Sequence, residues 1–429
     1  MPMRPAEVVL AVIALLLVLR RVFADRFEGR RLGSSQGANT SARPSAPGAP
    51  PAAASSLLRR AAPTEAIQSP SPETDGDGGA ADPTEQPAAK PNPRQLAKKY
   101  ERLGHVVVVR TKLAPADAAA FAATFAPPVH VVLYDGRGIT GELRLPELET
   151  LHEDRDAAMA AAGAAVRPAA KRIANYSALH AANSSPARHH ANVMTLRSQV
   201  DPRAALEGVG CPHPCLTSVT EGGTRYLLRA DRVMFCSGNT SERTHFRNAV
   251  KCVAGETVVD MFAGVGYFTV PLACSATPPA RIVAIEKNPI SAQLLALNVA
   301  ANDVRAERTN VTVVCGDNRA VGDEVLGRAD RVLMGYIPDC AGFLPRAMQF
   351  LKIAHGGDGM GRRGTVHYHF LAPSKAEAYS VVHAHLVREL GEDVVATGIT
   401  VDAVRVVKSF APKRWHCVAD LKVAPRFQS

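Results

Sequence analysis

The sequence has few cysteines for its length, and they are scattered. Eight cysteines in 429 residues, several of them in apolar stretches, do not make a disulfide framework, so we expect reduced thiols. The tightest pair is Cys211 and Cys215, with His213 between them. No second pair of ligands follows at the spacing of a zinc site, and we therefore predict that the chain binds no metal.

The sequence also lacks an apolar run of the length that a transmembrane helix requires. The run Val8–Leu19, VVLAVIALLLVL, is followed by two arginines. It falls short of the roughly 20 residues of an ordinary transmembrane helix. Three interpretations stay open: a signal-peptide core with a cleavage site near Val22–Ala24, a membrane-anchor segment, or a short helix or hydrophobic extension of the body, which is the favoured one.

The charge balance is basic. The formal net charge is +10, from 50 Lys and Arg against 40 Asp and Glu. Basic surfaces attract phosphate backbones, so a nucleic acid is one partner that this balance fits. An ordinary basic surface is the other interpretation that charge alone leaves open.

Composition divides the chain into four parts. Residues 1–32 form the apolar N-terminal segment, and residues 33–94 are rich in Ala, Pro, Ser and Gly. We predict that this second part is a disordered linker, because it cannot bury enough surface to offset its ordering entropy. Residues 95–235 are expected to form a smaller α+β region with a helical or loop insertion at 155–200, and residues 236–429 the main domain.

Strand-like and helix-like runs alternate from Glu256 onward, which indicates a parallel sheet covered on both faces. The predicted strands are Thr257–Phe262, Arg281–Ile285, Val311–Cys315, Asp330–Met334 and Thr365–Leu371, and the predicted helices include Ile290–Asn302 and Ser374–Leu390. Val404–Ser409 and His416–Val423 are expected to pair as an antiparallel edge hairpin. The predicted fold is an α/β Rossmann-like sheet.

Shorter elements are predicted before this domain. The predicted strands are His105–Arg110, Val129–Tyr134, Thr224–Leu228 and Asp231–Phe235. A turn is expected at Asp135–Gly138, directly after the second of these strands.

Acidic and glycine residues stand at the carboxyl ends of three predicted strands. Asp260 precedes a turn that contains Gly264 and Gly266, and Glu286 ends the second strand. A carboxylate at that position can accept both ribose hydroxyls of a bound nucleoside. Asp317 and Asn318 follow the third strand, where a side chain can reach the exocyclic amine of adenine. Carboxyl ends of strands are where open α/β sheets bind ligands.

Two other interpretations compete with a nucleoside site. A phosphate-binding site for NAD requires G-x-G-x-x-G, and Thr269 stands where the third glycine would be. The acidic residue before the turn also suits a cofactor with an amino group better than a pyrophosphate. Each carboxylate alone is compatible with an ordinary helix N-cap, although this is a poor explanation for all of them together.

Several motifs resemble the class I methyltransferase-like family of tRNA-modifying enzymes. They are MFCSGNTSER from Met234, DMFAGVGYFTVPLA from Asp260, IEKNP, GDNR and MGYIP. The stretches YERLGHVVVVR and GELRLPE resemble the family less closely. The family has two close branches, the tRNA guanine-N1 methyltransferases and the wybutosine-synthesising aminocarboxypropyltransferases. The chain is most similar to the second branch, the homologues of tRNA wybutosine-synthesizing protein 2.

The branch is indicated by the residues after the fourth strand. Methyltransferases of the family tend to carry an Asn-Leu-Pro type of motif, whereas Gly335, Tyr336, Ile337 and Pro338 resemble the Gly-x-Ile-Pro form of the other branch. Asp339 departs from the usual Ser. The tail KSFAP with Trp415 and His416 is of a kind that both branches share.

The resemblance implies a site and a reaction. S-adenosylmethionine is the implied co-substrate, and its contacts would fall on Cys236 (where Ser is typical), Arg243, Glu286, Asp317 and Asn318. Arg243 would pair with the methionine carboxylate, with a solvated charge or a tRNA contact as the alternatives. Gly335, Tyr336, Ile337 and Pro338 would wall the acceptor base, while no catalytic residue is implied.

The implied acceptor is the tricyclic wybutosine precursor next to the anticodon of tRNA(Phe). Tyr267, Tyr336 and Trp415 are candidates for stacking on the base, or equally for the core. Basic residues of the N-terminal region are candidates for the phosphate backbone, namely Lys98, Lys99, Arg102, Arg110 and Lys112. The alternatives are a tRNA guanine-N1 methyltransferase and a non-catalytic tRNA-binding protein. A cytoplasmic monomer without a stable membrane partner is expected.

Overall fold

The computed structural model describes residues 97–182, 200–304, 307–356 and 359–427. The apolar run at residues 8–19, the predicted linker at 33–94 and the later part of the predicted insertion lie outside the described residues. No helix of the described ranges is long and apolar enough to cross a membrane.

The first described part is a four-stranded sheet with helices. Its strands stand in the order β1-β2-β3-β4, with β2 and β3 parallel and the outer pairs antiparallel. The elements are β1 Tyr100–Leu103, β2 Val106–Val109, α1 Pro115–Ala122, β3 Val131–Thr140, β4 Leu145–Glu153, α2 Arg155–Ala182 and α3 Pro202–Gly208. The strands predicted at 105–110 and 129–134 are confirmed as β2 and the first half of β3.

The turn predicted at Asp135–Gly138 is wrong. β3 continues through these residues, and its pairing with β4 shifts register between Asp135 and Ile139. The backbone N–H of Gly138 donates to the Asp135 carboxylate at 2.6 Å, which closes a local bulge inside the strand. The chain reverses only at residues 141–144, called the hairpin tip below.

The alanine-rich start of the predicted insertion is a helix. α2 packs a row of small buried residues, Ala158, Ala162, Ala165 and Ala169, against the core. Their spacing of three or four residues places them on one helix face. Arg172 of α2 donates to the carbonyl oxygens of Ala300 and Ala301 at 3.2 and 2.7 Å.

A two-stranded hairpin, β5 Leu216–Glu221 with β6 Thr224–Arg229, connects the two larger sheets along the chain. The strand predicted at Asp231–Phe235 is wrong, because the chain turns there. The N–H groups of Arg232 and Val233 both donate to the carbonyl oxygen of Arg229, and the Arg229 guanidinium binds both carboxylate oxygens of Asp231.

The main domain is an eight-stranded sheet in the order β13-β14-β12-β10-β7-β8-β9, with β11 paired to β12. β9, β8, β7, β10 and β12 are parallel, and β13 and β14 form the predicted antiparallel edge hairpin. The elements are α4 Thr240–Asn248, β7 Thr257–Asp260, α5 Thr269–Ala273, β8 Arg281–Glu286, α6 Pro289–Ala301, β9 Asn310–Cys315, β10 Arg331–Met334, α7 Leu344–Phe350, β11 Lys352–Gly356, β12 Gly359–Ala372, α8 Ala378–Leu390, α9 Glu392–Gly398, β13 Ile399–Ala411 and β14 Arg414–Phe427. The Rossmann-like α/β fold is thereby confirmed.

The strand order reverses at β7. The chain proceeds from β7 to β8 and β9 on one side, and β10 lies on the other side of β7. Residues of α5 and α6 pack on one face of the sheet, and residues of α7 and α8 pack on the opposite face. A sheet of this kind opens a crevice at the carboxyl ends of the strands next to the reversal, where ligands bind.

Asn298 of α6 and Asn302, the residue that caps the carboxyl end of this helix, hold the β5–β6 hairpin to the main domain. Asn298 and Asn302 lie four residues apart on one helix face, and each hydrogen-bonds both backbone groups of one β6 residue, Leu227 and Arg225 respectively, at 2.6 to 3.2 Å. Asn298 also donates to the carbonyl oxygen of Val265 at 2.8 Å. The two side chains thus satisfy an edge of β6 as a neighbouring strand would.

Replacing Asn298 by alanine is expected to destabilise the fold. The change leaves buried backbone groups of Leu227 and Val265 without partners, at a cost of about 2 to 4 kcal/mol in the free energy of unfolding. Denaturant unfolding of the full chain measures this. The exposed Asn310→Ala variant is the matched control, with an expected effect within about 0.5 kcal/mol. Equal effects of the two changes would contradict the stabilising role of the Asn298 hydrogen bonds.

Candidate active site

A cavity of about 300 Å³ opens at the carboxyl ends of β7, β8, β9 and β10. Its volume lies within the range of small-molecule sites. The structure brings most of the predicted site residues to this cavity. Those that line it are Cys236, Arg243, Gly264, Glu286, Asp317, Asn318, Gly335, Tyr336 and Ile337. Asp260, Gly266 and Pro338 do not line it.

The turn after β7 requires glycine at Gly264. Its backbone has a φ of +56°, a left-handed conformation that side chains disfavour. A Cβ added there would lie 2.5 Å from the Tyr267 ring. The Gly264 N–H donates to Glu286 Oε2 at 2.7 Å, so the turn and the end of β8 are joined directly. Gly266, also left-handed, packs against Val270 and Leu295 behind the cavity wall.

Asp260 is fully buried beneath this turn. It accepts hydrogen bonds from the Thr269 hydroxyl at 2.7 Å and from the Phe262 N–H at 3.3 Å. Burial raises the pKa of Asp260 to about 7. Direct contact between Asp260 and a ligand stays a prediction that the cavity lining does not support. Thr269, which replaces a third glycine, is instead the partner of this carboxyl.

Three polar side chains stand where β8 and β9 end. Glu286 Oε1 accepts from the N–H of Asn288 at 2.7 Å, and burial raises the pKa of this carboxyl. Asp317 is bound by Arg319 and Lys287, and the Arg319 guanidinium holds the pKa of Asp317 well below its usual range. Asn318 donates to the carbonyl oxygen of Met261 at 2.8 Å, and its buried Oδ1 has no hydrogen-bond partner.

Cys236 and Arg243 lie on another part of the wall, before and within α4. The ammonium of Lys408 lies 2.6 Å from the Cys236 sulfur. Arg243 is 2% exposed, its Nε donates to Glu221 Oε2 at 2.8 Å, and its guanidinium lies 4.7 Å from the centre of the Phe235 ring. A contact from Arg243 to a ligand carboxylate stays a prediction, and Glu221 competes with it.

Aromatic and backbone groups form the wall after β10. Tyr336 stacks on Phe262 with ring centres 5.3 Å apart. A Cβ at Gly335 would lie 2.7 Å from the Phe268 ring, so this position also admits only glycine without rearrangement. Pro338 is exposed outside the cavity. Tyr267 lines the cavity, whereas Trp415 does not and lies under the Lys375 ammonium at 4.6 Å.

Sequence reasoning missed the residues that the hairpin tip contributes. Glu142, Leu143 and Arg144 line the cavity, although they connect β3 and β4 of the four-stranded sheet. Glu142 forms ion pairs with Lys287 at 2.7 Å and with Arg319 at 2.9 Å. The motif GELRLPE contains these tip residues, and the motifs IEKNP and GDNR contain the two cations, so a signal was present for each.

One group of possible metal ligands lies in the described residues away from the cavity. Donor atoms of His213, Cys215 and Asp231 lie within 4.8 Å of one another. The Arg229 guanidinium stands among them, because it binds both Asp231 oxygens and lies 3.2 Å from His213 Nε2. A guanidinium in that position takes the ligand atoms that a cation would need.

The polar groups that line the cavity fit a nucleoside with an amino-acid arm. Two carboxylates and a partnerless amide oxygen offer acceptors for hydroxyl and amino groups, and the Gly264 turn lets a ligand approach the backbone. Arginines and aromatic rings on the rest of the lining suit a charged arm and a planar acceptor.

Comparison with known proteins gives a consistent result. Residues 217–410 match the TRM5/TYW2 methyltransferase domain. A Methanocaldococcus jannaschii protein is 36% identical over 204 residues, covering 47% of this chain and 73% of its own. A Pyrococcus horikoshii protein is 32% identical over 211 residues, covering 48% and 67%. Both are named tRNA(Phe) (4-demethylwyosine(37)-C(7)) aminocarboxypropyltransferase.

Solved structures agree on the fold. The crystal structure of P. horikoshii TYW2 in complex with MeSAdo has a TM-score of 0.51 at 22% identity and covers 79% of this chain and 100% of its own. Trm5b from Pyrococcus abyssi has a TM-score of 0.51 at 20% identity, covering 80% of each chain.

Asp260→Asn is expected to change how stability depends on pH. Because the pKa of Asp260 is raised from its usual 3.8 to about 7 in the folded state, the folded chain holds a proton that the unfolded chain releases between these pH values. The contribution is present at pH below 3.8 and is lost as pH rises through 7. The wild-type advantage over the variant should therefore shrink by about 1 to 3 kcal/mol from pH 5 to pH 8.

Denaturant unfolding at several pH values measures this difference. Asp402→Asn is the matched control, because that side chain is exposed. A wild-type advantage over Asp260→Asn that stays constant or grows with pH would contradict the assignment of a protonated, buried carboxyl.

Proposed function

The chain belongs to the TRM5/TYW2 family, and from this membership we propose that it is an S-adenosylmethionine-dependent tRNA 3-amino-3-carboxypropyltransferase of wybutosine biosynthesis. Its acceptor is the tricyclic wybutosine precursor base next to the anticodon of tRNA(Phe), and methylthioadenosine is the second product. The proposal depends on the similarity to the two relatives described above. Both are named as the same aminocarboxypropyltransferase, and the match with this chain covers at least two thirds of each.

Identity favours this reaction over methyl transfer. The P. abyssi tRNA (guanine(37)-N(1))-methyltransferase Trm5b is 30% identical over 207 residues, and the match covers only 54% of that protein. Gly335, Tyr336, Ile337 and Pro338 follow the pattern that resembles the aminocarboxypropyl branch. Methyl transfer by the same domain is the alternative that experiment must separate.

We assign the nucleoside to the side of the cavity at the carboxyl ends of β8 and β9. In this proposal the Glu286 carboxylate accepts hydrogen bonds from the ribose hydroxyls. Asp317 and Asn318 accept hydrogen bonds from the adenine amine. Asp317 exchanges one of its present cationic partners for the ligand. Gly264 supplies the close backbone approach, and Gly335 to Ile337 wall the acceptor base.

The reaction requires the chain to position the co-substrate and the acceptor base, and it requires no covalent intermediate on the enzyme. The sulfonium co-substrate supplies an electrophilic γ-carbon, so that an acceptor-base carbon forms the new C–C bond, the S–Cγ bond breaks, methylthioadenosine leaves and a proton is released. The residues of the cavity hold the arm and the base in line at a separation of about 3–3.5 Å. Phe262, Tyr336 and Phe343 give this side of the cavity an apolar lining, and in the proposed complex this lining keeps water out and strengthens the polar contacts made inside.

The tRNA is assigned to the region of residues 95–235 as well as to the cavity. Lys98 and Lys99 are exposed cations of this region. Arg110 and Lys112 are paired with Asp135 and Glu149, which reduces their attraction for phosphate. We propose that the enzyme acts as a cytoplasmic monomer.

An isotope experiment separates the two transfer reactions. The full chain is incubated with tRNA(Phe) that carries the tricyclic precursor, and with co-substrate labelled on the methyl carbon or, separately, on the aminobutyrate carbon. Label from the aminobutyrate arm should enter the tRNA, and methylthioadenosine should accumulate in equal amount. Entry of the methyl label alone would assign the chain to the methyltransferases. Absence of both labels would favour a non-catalytic tRNA-binding protein.

Glu286→Gln is expected to weaken co-substrate binding by about 10- to 100-fold, because a charge-assisted hydrogen bond contributes about 1.5–3 kcal/mol. Titration calorimetry with S-adenosylmethionine measures the affinity. Glu324→Gln is the control, since this carboxylate is exposed and does not line the cavity. Wild-type affinity in Glu286→Gln would show that the ribose is not bound there.

A further inference from the structure

The hairpin tip is fixed across one side of the cavity by charge. Glu142 at the tip binds Lys287 and Arg319, which follow β8 and β9. These same cations bind Asp317. The next residues of the tip, Leu143 and Arg144, line the cavity. A residue of the four-stranded sheet is therefore held at the wall of the main domain's site.

Arg144 has an unusual set of partners. Nη1 donates to the carbonyl oxygen of Ile337, and Nη2 lies 3.4 Å from the sulfur of Met234. Its guanidinium lies 5.7 Å from the centre of the Tyr336 ring. Nε is buried without a hydrogen-bond partner, and no described carboxylate forms an ion pair with the side chain. Two of its donors thus have only a weak acceptor or none.

Other arginines of this chain bind a carboxylate through Nε and Nη2, the two atoms that lack a good acceptor in Arg144. Arg229 uses Nε and Nη2 to bind both oxygens of Asp231 at 2.9 and 2.8 Å. Arg405 binds both oxygens of Glu242 in the same way at 2.9 and 3.2 Å. Side-on pairing through Nε and Nη2 is a bidentate geometry that suits a carboxylate. In Arg144 this edge is the one without a carboxylate.

The other cations of the cavity wall are already paired. Arg243 is bound to Glu221, while Lys287 and Arg319 are bound to Asp317 and Glu142. Among the described lining residues, Arg144 is the cation without a carboxylate partner. An anionic group that enters the cavity meets its least neutralised positive charge at this guanidinium.

The position of Arg144 selects which anion this is. Glu286 ends β8 and Asp317 follows β9, on one side of β7, whereas Tyr336 and Ile337 follow β10 on the other side. If the nucleoside binds at the carboxyl ends of β8 and β9, as proposed above, its amino-acid arm can reach the rest of the cavity only across β7 toward β10. Arg144 contacts the residues at the end of that path, so the group that reaches it is the carboxylate of the arm.

We propose that Arg144 binds the α-carboxylate of the co-substrate's amino-acid arm through Nε and Nη2, and thereby positions the γ-carbon that is transferred. The inference rests on the proposed function, because it takes S-adenosylmethionine as the ligand. The flexible Met234 side chain moves away from Nη2 when the carboxylate arrives. Arg144 is a binding and positioning residue for the transferred group, in a part of the chain outside the matched domain of residues 217–410.

Ligands that differ only in the arm test the proposal. The affinities of the full-length wild type and Arg144→Gln are measured by calorimetry for S-adenosylmethionine, S-adenosylhomocysteine and methylthioadenosine, the last of which has no carboxylate. The variant should lose about 10- to 100-fold in affinity for the first two and keep wild-type affinity for the third. Arg144→Lys should recover part of the loss, because it restores charge without the bidentate fork.

Arg137→Gln is the matched control, since this exposed arginine lies on the same strand pair, is bound to Glu147 and does not line the cavity. Equal weakening of all three ligands by Arg144→Gln would overturn the proposal in favour of a structural role. Unchanged affinities with weaker tRNA binding would overturn it in favour of a phosphate contact.

The proposed function can fail independently of this inference. A wild type that binds S-adenosylmethionine but transfers its methyl group contradicts the proposed reaction, while the ligand comparison still decides the role of Arg144. A wild type that binds neither S-adenosylmethionine nor methylthioadenosine overturns both.

Discussion

The cavity exists because the chain leaves neighbouring strands toward opposite faces of one sheet. After β7 the helices pack on one face, and after β10 they pack on the other, so the carboxyl ends of these strands are not covered. Neither the turn at Gly264 nor the wall at Gly335 has room for a Cβ, which would collide with the Tyr267 ring at the first position and with the Phe268 ring at the second. Every polar group assigned to the ligand is positioned relative to this gap.

Charge organises the cavity in two layers. Beneath the turn, Asp260 is buried, and its hydrogen bond from Thr269 ties the end of β7 to the start of α5. At the mouth, Asp317 and Glu142 share two cations, so the smaller sheet is attached to the larger one by an ionic cluster. Because these mouth residues are partly exposed, their attraction is screened by salt more than the buried contacts are.

Local sequence patterns predicted the main sheet well and the smaller region less well. Val- and Ile-rich runs ending in Asp260 or Glu286 identify buried parallel strands, since burial on both faces leaves little alternation. The bulge at Asp135–Gly138 resembles a turn in sequence, because a local hydrogen bond satisfies its backbone either way. The contribution of Arg144 depends on contacts 193 residues along the chain, and short-range periodicity contains no information on such pairs.

The hairpin tip joins the cavity from a sheet that the matched domain does not include. Its residues lie in a reversal between two strands, where changes of length and side chain disturb no helix and no strand of the main domain. Its side chains nevertheless affect the cavity of the main domain, because Glu142 shares Lys287 and Arg319 with Asp317. The composition of the tip is therefore a means of altering the cavity wall while the strands of the main sheet stay unchanged.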